Sequence, residues 1–512
     1  MFADRDFELE RESRIGEQDL IADLELDVVW NAMALGDEVV HASARSAMLS
    51  SLTTPEQIRY RQAVLADCLE HPAIVREIHD LAVAAIASER QVYRGWFSNR
   101  GEALVSRSIA VLEALVGFLK QLRTLTENHA AEFSSEGFGR FFDTLRRELD
   151  DEYFDEIAQH LRQLRFRDGV LGSAQLGKQS QGIRYVLRVP RRDNRTFLFR
   201  RPAVKKPAYS WTIPARDEAG GQAMSALRDR VLSLVANALG QSTDHVLSFL
   251  SALRTELGFY VGCLNLHDQL AAKHEPECVP DPYPPGTSIL NARALYDPCL
   301  SLRIPNRVQG NDLCADGKPL IIITGANQGG KSTLLRGLGV AQLMMQAGML
   351  VPASSYGATV TSGVFTHYKR EEDATMTSGK FDEELARMSE ITGAINTDAL
   401  LICNESFAAT NEREGSEVAA EVIHAMTDTR NTVVFVTHLY ELAHGLYQHH
   451  ADATLFLRAD RGIDGHRTFH ITEGEPLPTS YGEDLYQRTF SAAPPTAGSA
   501  AQRQGAPQDG DT

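Results

Sequence analysis

The sequence predicts a multidomain chain: an α-helical region with a small β insert, followed by an α/β domain with a mostly parallel sheet. Three observations carry this. Apolar residues recur at the helical period through the first 168 residues. A Gly-punctuated stretch rich in β-formers begins at Gly169. From about residue 289, short apolar runs alternate with helical patterns, as strands buried on both faces do when helices cross between them.

Taken in order, Leu24, Leu26, Val28, Val29 and Met33 fall near one helical face, as do Ile74, Val75, Ile78, Leu81 and Ala82. Thr53-Thr54-Pro55-Glu56 has the chemistry of a helix start, with proline early and an acid in the first turn. Residues 104–125 and 141–164 predict two further long amphipathic helices. Residues 183–189 and 196–199 predict paired strands around a turn at Arg192-Asp193-Asn194. Helix returns over about 222–272, and residues 273–288, with five prolines, read as a linker. The stretch from Ser491 is low in complexity and predicts disorder.

Composition narrows the function classes. A chain of 512 residues suffices for several domains with their own cores. Its 43% hydrophobic and 23% charged content is ordinary for a soluble protein. No apolar run is long enough for a membrane span, and the acidic N-terminus does not fit a secretory signal. Six scattered cysteines, without CxxC or Cys/His spacing, predict reduced thiols in a cytoplasmic protein and no structural zinc. A net charge of −17 excludes nucleic-acid binding by bulk charge, so such binding needs a local basic patch. Arg184, Arg188, Arg191, Arg192, Arg195, Arg200 and Arg201, with Lys205 and Lys206, provide one around a single acid, Asp193. It reads either as DNA backbone contact or as a solvated loop that pairs with acidic helices of the same chain.

The chemistry concentrates after residue 319. Leu320-Ile321-Ile322-Ile323-Thr324 is a short buried-strand pattern, followed by Gly325-Ala326-Asn327-Gln328-Gly329-Gly330-Lys331-Ser332. This fits GxxxxGK[ST] at every fixed position. Gly325, Gly329 and Gly330 let backbone N–H groups turn inward toward phosphate oxygens, and Asn327 lies within the same loop. Lys331 supplies a charge to the β- and γ-phosphates, Ser332 can ligate Mg2+, and the helix opening at Thr333 adds its positive end. The expected ligands are ATP and Mg2+.

A second apolar run, 399–403, ends in Asn404-Glu405. Asn404 offers an amide oxygen to the metal shell without adding charge, and Glu405 is the candidate base for an attacking water. The plainer reading of Glu405 is a solvated loop acid. A third run, 432–436, ends in Thr437-His438. His438 either senses the γ-phosphate or positions the water; the plainer reading is a hydrogen bond within the sheet edge.

Together these residues resemble the MutS family of DNA mismatch-repair ATPases. IIITGANQGGKSTLLRGLGVAQLMMQAGMLVPA (321–353) is similar to the family's TGxNxGGKST loop, helix and VPA turn. Asn291-Ala292-Arg293 with Asp297-Pro298, Asn311-Asp312, Thr437-His438-Leu439-Tyr440-Glu441-Leu442 and Ser480-Tyr481-Gly482 resemble further family segments in the family's order. Upstream, residues 53–81 and 245–270 are similar to the family's helical core.

The resemblance implies an α-helical core and lever over 1–168 and a small β clamp-like insert over 169–215. Returning helices and linker follow over 216–285, then an ABC-like P-loop ATPase domain over 286–490 and a tail over 491–512. It also implies a homodimer in which a Ser-Thr pair reaches the partner's γ-phosphate. Alignment on Phe381 places Gly379-Lys380 at that pair, so Ser378 or Lys380 is expected to make the contact. Departures bear on function. The chain starts directly in the helical core, so the family's mismatch-reading domain is expected to be absent. The usual Asp-Glu pair is Asn404-Glu405. The implied function is ATP-dependent DNA clamping in mismatch repair or a related pathway. Action on branched nucleic acid or a protein partner, or a slow nucleotide switch, are the alternatives.

Overall fold

The computed structural model describes residues 1–91, 100–166, 169–178, 182–188, 212–214, 216–326, 328–370, 379–461 and 467–477. The helical region contains α1 (Glu17–Asp23), α2 (Leu26–Ala34), α3 (Glu38–Leu49), α4 (Pro55–Glu70), α5 (Pro72–Gln91), α6 (Arg100–His129), α7 (Glu136–Glu148) and α8 (Asp151–Leu164). Caps explain several starts. Asp37 accepts from the Val39 and Val40 N–H groups, and Thr54 accepts from Gln57 N with Pro55 in the first turn. The helix expected over 141–164 is two helices. Asp150 accepts from Tyr153 N and restarts the chain as α8 after a non-helical Leu149.

A two-stranded antiparallel sheet follows, β1 (Gly172–Leu176) with β2 (Gly182–Leu187). Among the described residues β2 thus pairs with an upstream strand. The expected partner, 196–199, lies outside the described residues. The chain returns as α9 (Glu218–Ala271), 54 residues capped by Asp217. At 1.5 Å per residue it runs about 80 Å. Its far half joins α6, α8 and Leu187 of β2 in a small outer core around Leu112, Leu161, Leu232 and Leu239. Its near half, dense in buried residues from Leu257 to Leu266, packs on α2, α3 and α5.

The α/β region comprises β3 (Asp281–Tyr283), β4 (Leu290–Leu295), α10 (Pro298–Arg303), β5 (Asn311–Cys314), β6 (Leu320–Thr324), α11 (Lys331–Gln346), β7 (Ser355–Thr359), β8 (Val364–Tyr368), α12 (Lys380–Ala394), β9 (Leu400–Asn404), α13 (Glu412–Asp428), β10 (Thr432–Val436), α14 (Tyr440–His450), β11 (Thr454–Arg461) and β12 (Arg467–Glu473). One sheet has the order β12-β11-β6-β10-β9-β8 and is parallel except at β11–β12. A second sheet, β3-β7-β4-β5, is mixed, with β4 antiparallel to both neighbours. This second sheet has no counterpart in the sequence reading. The proline-rich stretch read as linker is tied into it through β3, and Gln62 and Arg59 of α4 donate to its Pro280 and Pro282 carbonyls.

Side-chain alternation explains the unbroken apolar strands. Ile322, Leu401, Cys403, Val433 and Phe435 face a core under α12, α13 and α14. Ile321, Ile323, Ile402, Val434 and Val436 face the opposite way, into a core shared with α11 and the helical region. α11 thus lies between the sheet and the helices around Leu24. Among the described residues no helix is long and apolar enough to cross a membrane. All six cysteines are free thiols.

Candidate functional site

The site lies at the carboxyl ends of β6, β9 and β10, where open α/β sheets place ligands. β6 is wholly buried and leads into the loop. Gly325 (φ +112°) and Gly330 (φ +94°) take left-handed conformations, and a Cβ on Gly325 would sit 2.9 Å from Ala459 N. Gly330 caps α11 without a side chain, so the first N–H groups of the helix face the loop. Lys331 is only 5% exposed and donates from Nζ to the Gly325 and Ala326 carbonyls, at 3.0 and 2.9 Å. Burial pushes its pKa down to about 8, and Glu405 opposes that shift. Ser332 Oγ donates to Asn404 Oδ1 across 3.2 Å.

Glu405 follows β9 with a left-handed backbone (φ +55°), and its N–H donates to Val436 O. Its Oε1 lies 3.1 Å from His438 Nε2, an ion-pair separation with the ring turned off line for a hydrogen bond. His438, then Lys331 and Lys369, holds the Glu405 carboxyl below its ordinary value, so it is ionised at neutral pH.

A cleft of about 930 Å³ opens before the loop, lined by Gly329, Lys331, Ser332, Thr333 and Glu405 among others. The structure thus brings Gly325, Gly329, Gly330, Lys331, Ser332, Thr333, Asn404, Glu405 and His438 together. Asn327 and Ser378 lie outside the described residues. Lys380 opens α12 and does not line this cleft. Of the basic patch, Arg184 and Arg188 are exposed on and beside β2, where they donate to Gln175 Oε1 and Ser173 Oγ. Arg191, Arg192, Arg195, Arg200 and Arg201 lie outside the described residues.

The sequence reading missed the far wall of the cleft, which includes Asn306, Arg307 and Phe469. Phe469 is 49% exposed, with φ +56°. Asn311 holds it there: its Nδ2 donates to Phe469 O at 3.2 Å, and its Oδ1 accepts from Ile471 N at 2.7 Å. The Arg467 guanidinium contacts Gln328 Oε1 of the loop. In the sequence Asn311 stands out only as part of the Asn311-Asp312 segment, and nothing local marks Phe469.

Comparison with known proteins points one way. A family model described as MutS2 N-terminal domain matches residues 53–273, and one described as MutS domain V matches 321–492. The chain is 34% identical over 171 residues to the DNA mismatch repair protein MSH3 of Arabidopsis thaliana, covering 33% of this chain and 16% of that protein. It is 28% identical over 209 residues to the DNA mismatch repair protein MutS 2 of Halobacterium salinarum, covering 41% and 24%. A 24% identical match to the MSH3 protein of Pyricularia oryzae extends over 413 residues, 72% of this chain and 33% of that one. The chain thus spans a third or less of the length of these relatives. Two models of one family match successive parts of the chain, and the second begins on β6, the strand that leads into the glycine-rich loop: the chain belongs to the MutS family.

Proposed function

We propose that this chain binds ATP with Mg2+ at the Gly325–Thr333 loop, hydrolyses it, and couples the nucleotide state to its grip on DNA. The setting is mismatch repair or a related DNA-maintenance process in the cytoplasm. One observation carries the ATPase reading. A buried Lys331, a Ser332–Asn404 oxygen pair and an ionised Glu405 converge on one cleft at the strand ends. Mg2+ is usually held by one or two protein oxygens together with phosphates and waters, and Ser332 and Asn404 suit that donor set. When bound, the ion would neutralise phosphate charge. The protein's own part is to place Lys331 at the phosphates and to orient a water with Glu405, with His438 fixing the carboxylate.

DNA enters through the names of the relatives and through the lever geometry. α9 links the core beside the ATPase sheet to the β1–β2 hairpin, which bears Arg184 and is followed by Arg188. This supports a clamp-like role for that hairpin. The homodimer, with Ser378 or Lys380 reaching the partner's phosphate, is part of the same proposal. Asn404 favours a second reading: without a carboxylate at this position Mg2+ is held less strongly, and the protein acts as a slow nucleotide switch. Glu405→Ala tests the proposal. It should bind ATP within a few-fold of the parent and turn it over at least about tenfold more slowly. Undiminished turnover would place the base elsewhere.

A further inference from the structure

The residues that follow Glu405 are held in an unusual way. Glu405 and Phe407 both have left-handed backbones, φ +55° and +63°, although neither is glycine. Such conformations persist where the surroundings over-determine them. Here the surroundings come from β8. Ser406 is fully buried, and its Oγ reaches both His367 Nδ1 at 2.7 Å and the His367 carbonyl oxygen at 2.8 Å. The Phe407 ring is also fully buried and stacks on the His367 ring, with centroids 5.6 Å apart and planes at 24°. His367 stands beside Cys403 in the parallel register of β8 and β9, so it flanks the end of the strand that delivers Glu405.

The other ring nitrogen is engaged as well. His367 Nε2 lies 3.1 Å from the Glu384 carbonyl oxygen in α12. A carbonyl only accepts, so Nε2 carries the proton. Burial, then Arg387, pushes the ring's pKa down to about 4. In the neutral ring Nδ1 is therefore an acceptor, so the single Ser406 hydroxyl proton is shared between Nδ1 and the His367 carbonyl oxygen. The imidazole is a fixed strut between α12 and the turn that aims Glu405.

We propose that His367 is a positioning residue for ATP hydrolysis, acting through Ser406 to hold the Glu405–Phe407 turn. The proposal rests on the reading of Glu405 as the base. Geometric placement of such a group controls the chemical step more than nucleotide binding, and small misplacements cost about ten- to a hundredfold in rate.

The test uses the full chain and compares nucleotide affinity, thermal midpoint and kcat for Ser406→Ala, His367→Asn, His367→Phe and Glu405→Ala. His367→Asn keeps a polar atom near Nδ1 and loses the ring stack. His367→Phe keeps the ring stack and loses both hydrogen bonds. Positioning predicts nucleotide affinity within about twofold throughout, a fall of about tenfold or more in kcat for Ser406→Ala, and His367→Asn faster than His367→Phe. A simple packing role predicts the reverse order, with His367→Phe nearest the parent. That reversed order, or parental kcat in a folded Ser406→Ala, overturns the proposal. Ser406→Ala removes one oxygen, so it keeps the test decisive if the His367 variants fail to fold. Parental turnover in Glu405→Ala would refute the base assignment itself and the positioning role with it.

Discussion

Lys331→Ala tests how the loop recognises phosphate. In the free protein the Lys331 ammonium is buried and held by two loop carbonyls, at 2.9 and 3.0 Å. On the proposed reading, a bound nucleotide would draw the same group toward its γ-side oxygens. Truncation at Cβ removes one or two charge-assisted hydrogen bonds, worth about 1.5–3 kcal/mol each. At about 1.4 kcal/mol per tenfold, affinity should fall by roughly ten- to a thousandfold or more. The lowered pKa adds a pH signature. The free-state value is about 8, whereas a lysine paired with phosphate oxygens would stay charged. Above pH 8 the free protein has lost the proton that the complex needs, so binding takes one up. The apparent Kd should weaken by up to about tenfold per pH unit there. Below pH 8 this group contributes no slope. Titration calorimetry at pH 7, 8 and 9, in buffers of differing ionisation enthalpy, reads both the affinity and the proton uptake. Lys331→Ala should lose the slope along with the affinity. Parental affinity in the variant, or an unchanged slope, would refute the reasoning.

Other perturbations follow from the same geometry. Asn404→Asp puts a carboxylate 3.2 Å from Ser332 Oγ and should lower the Mg2+ concentration for half-maximal turnover by at least about fivefold, as a nearby opposite charge requires. An unchanged Mg2+ dependence would remove Asn404 from the metal shell. Gly337→Ala places a Cβ 2.9 Å from the Tyr296 carbonyl oxygen, where α11 passes the chain leading into α10. Chemical denaturation should show a loss of about 1–3 kcal/mol, and an unshifted midpoint would mean the helix can step aside. Arg184→Glu with Arg188→Glu should weaken DNA binding and flatten its salt dependence by about two units of log–log slope. Equal binding at every salt concentration would take the hairpin out of the DNA contact.

Much of the candidate site was legible because its signals are local. A five-residue strand, apolar but for its closing Thr324, before Gly325 and a helix after Gly330 leave little choice for the loop between them. The same logic exposed Asn404-Glu405 and Thr437-His438, since strands buried on both faces must end where polar residues begin. The long α9 was legible from its period. What stayed hidden depends on distant partners. β3 reads as proline-rich linker until β7 is beside it. Among the described residues β2 pairs with β1, a strand that the sequence pattern did not mark. Asn311 pins Phe469 across 158 residues of sequence, and His367 meets Ser406 across 39. The break at Asp150 was readable in hindsight, because Asp150, Asp151 and Glu152 form a helix start inside an otherwise periodic run.

The most direct test of the account is steady-state ATP turnover by the purified full chain with Mg2+. Turnover is measured alone and with homoduplex, single-mismatch duplex and four-way junction DNA at low and physiological salt. The account predicts Mg2+-dependent turnover that depends on Glu405 and changes with at least one DNA at physiological salt. Turnover near zero in every condition, or a rate indifferent to all three DNAs, would contradict it.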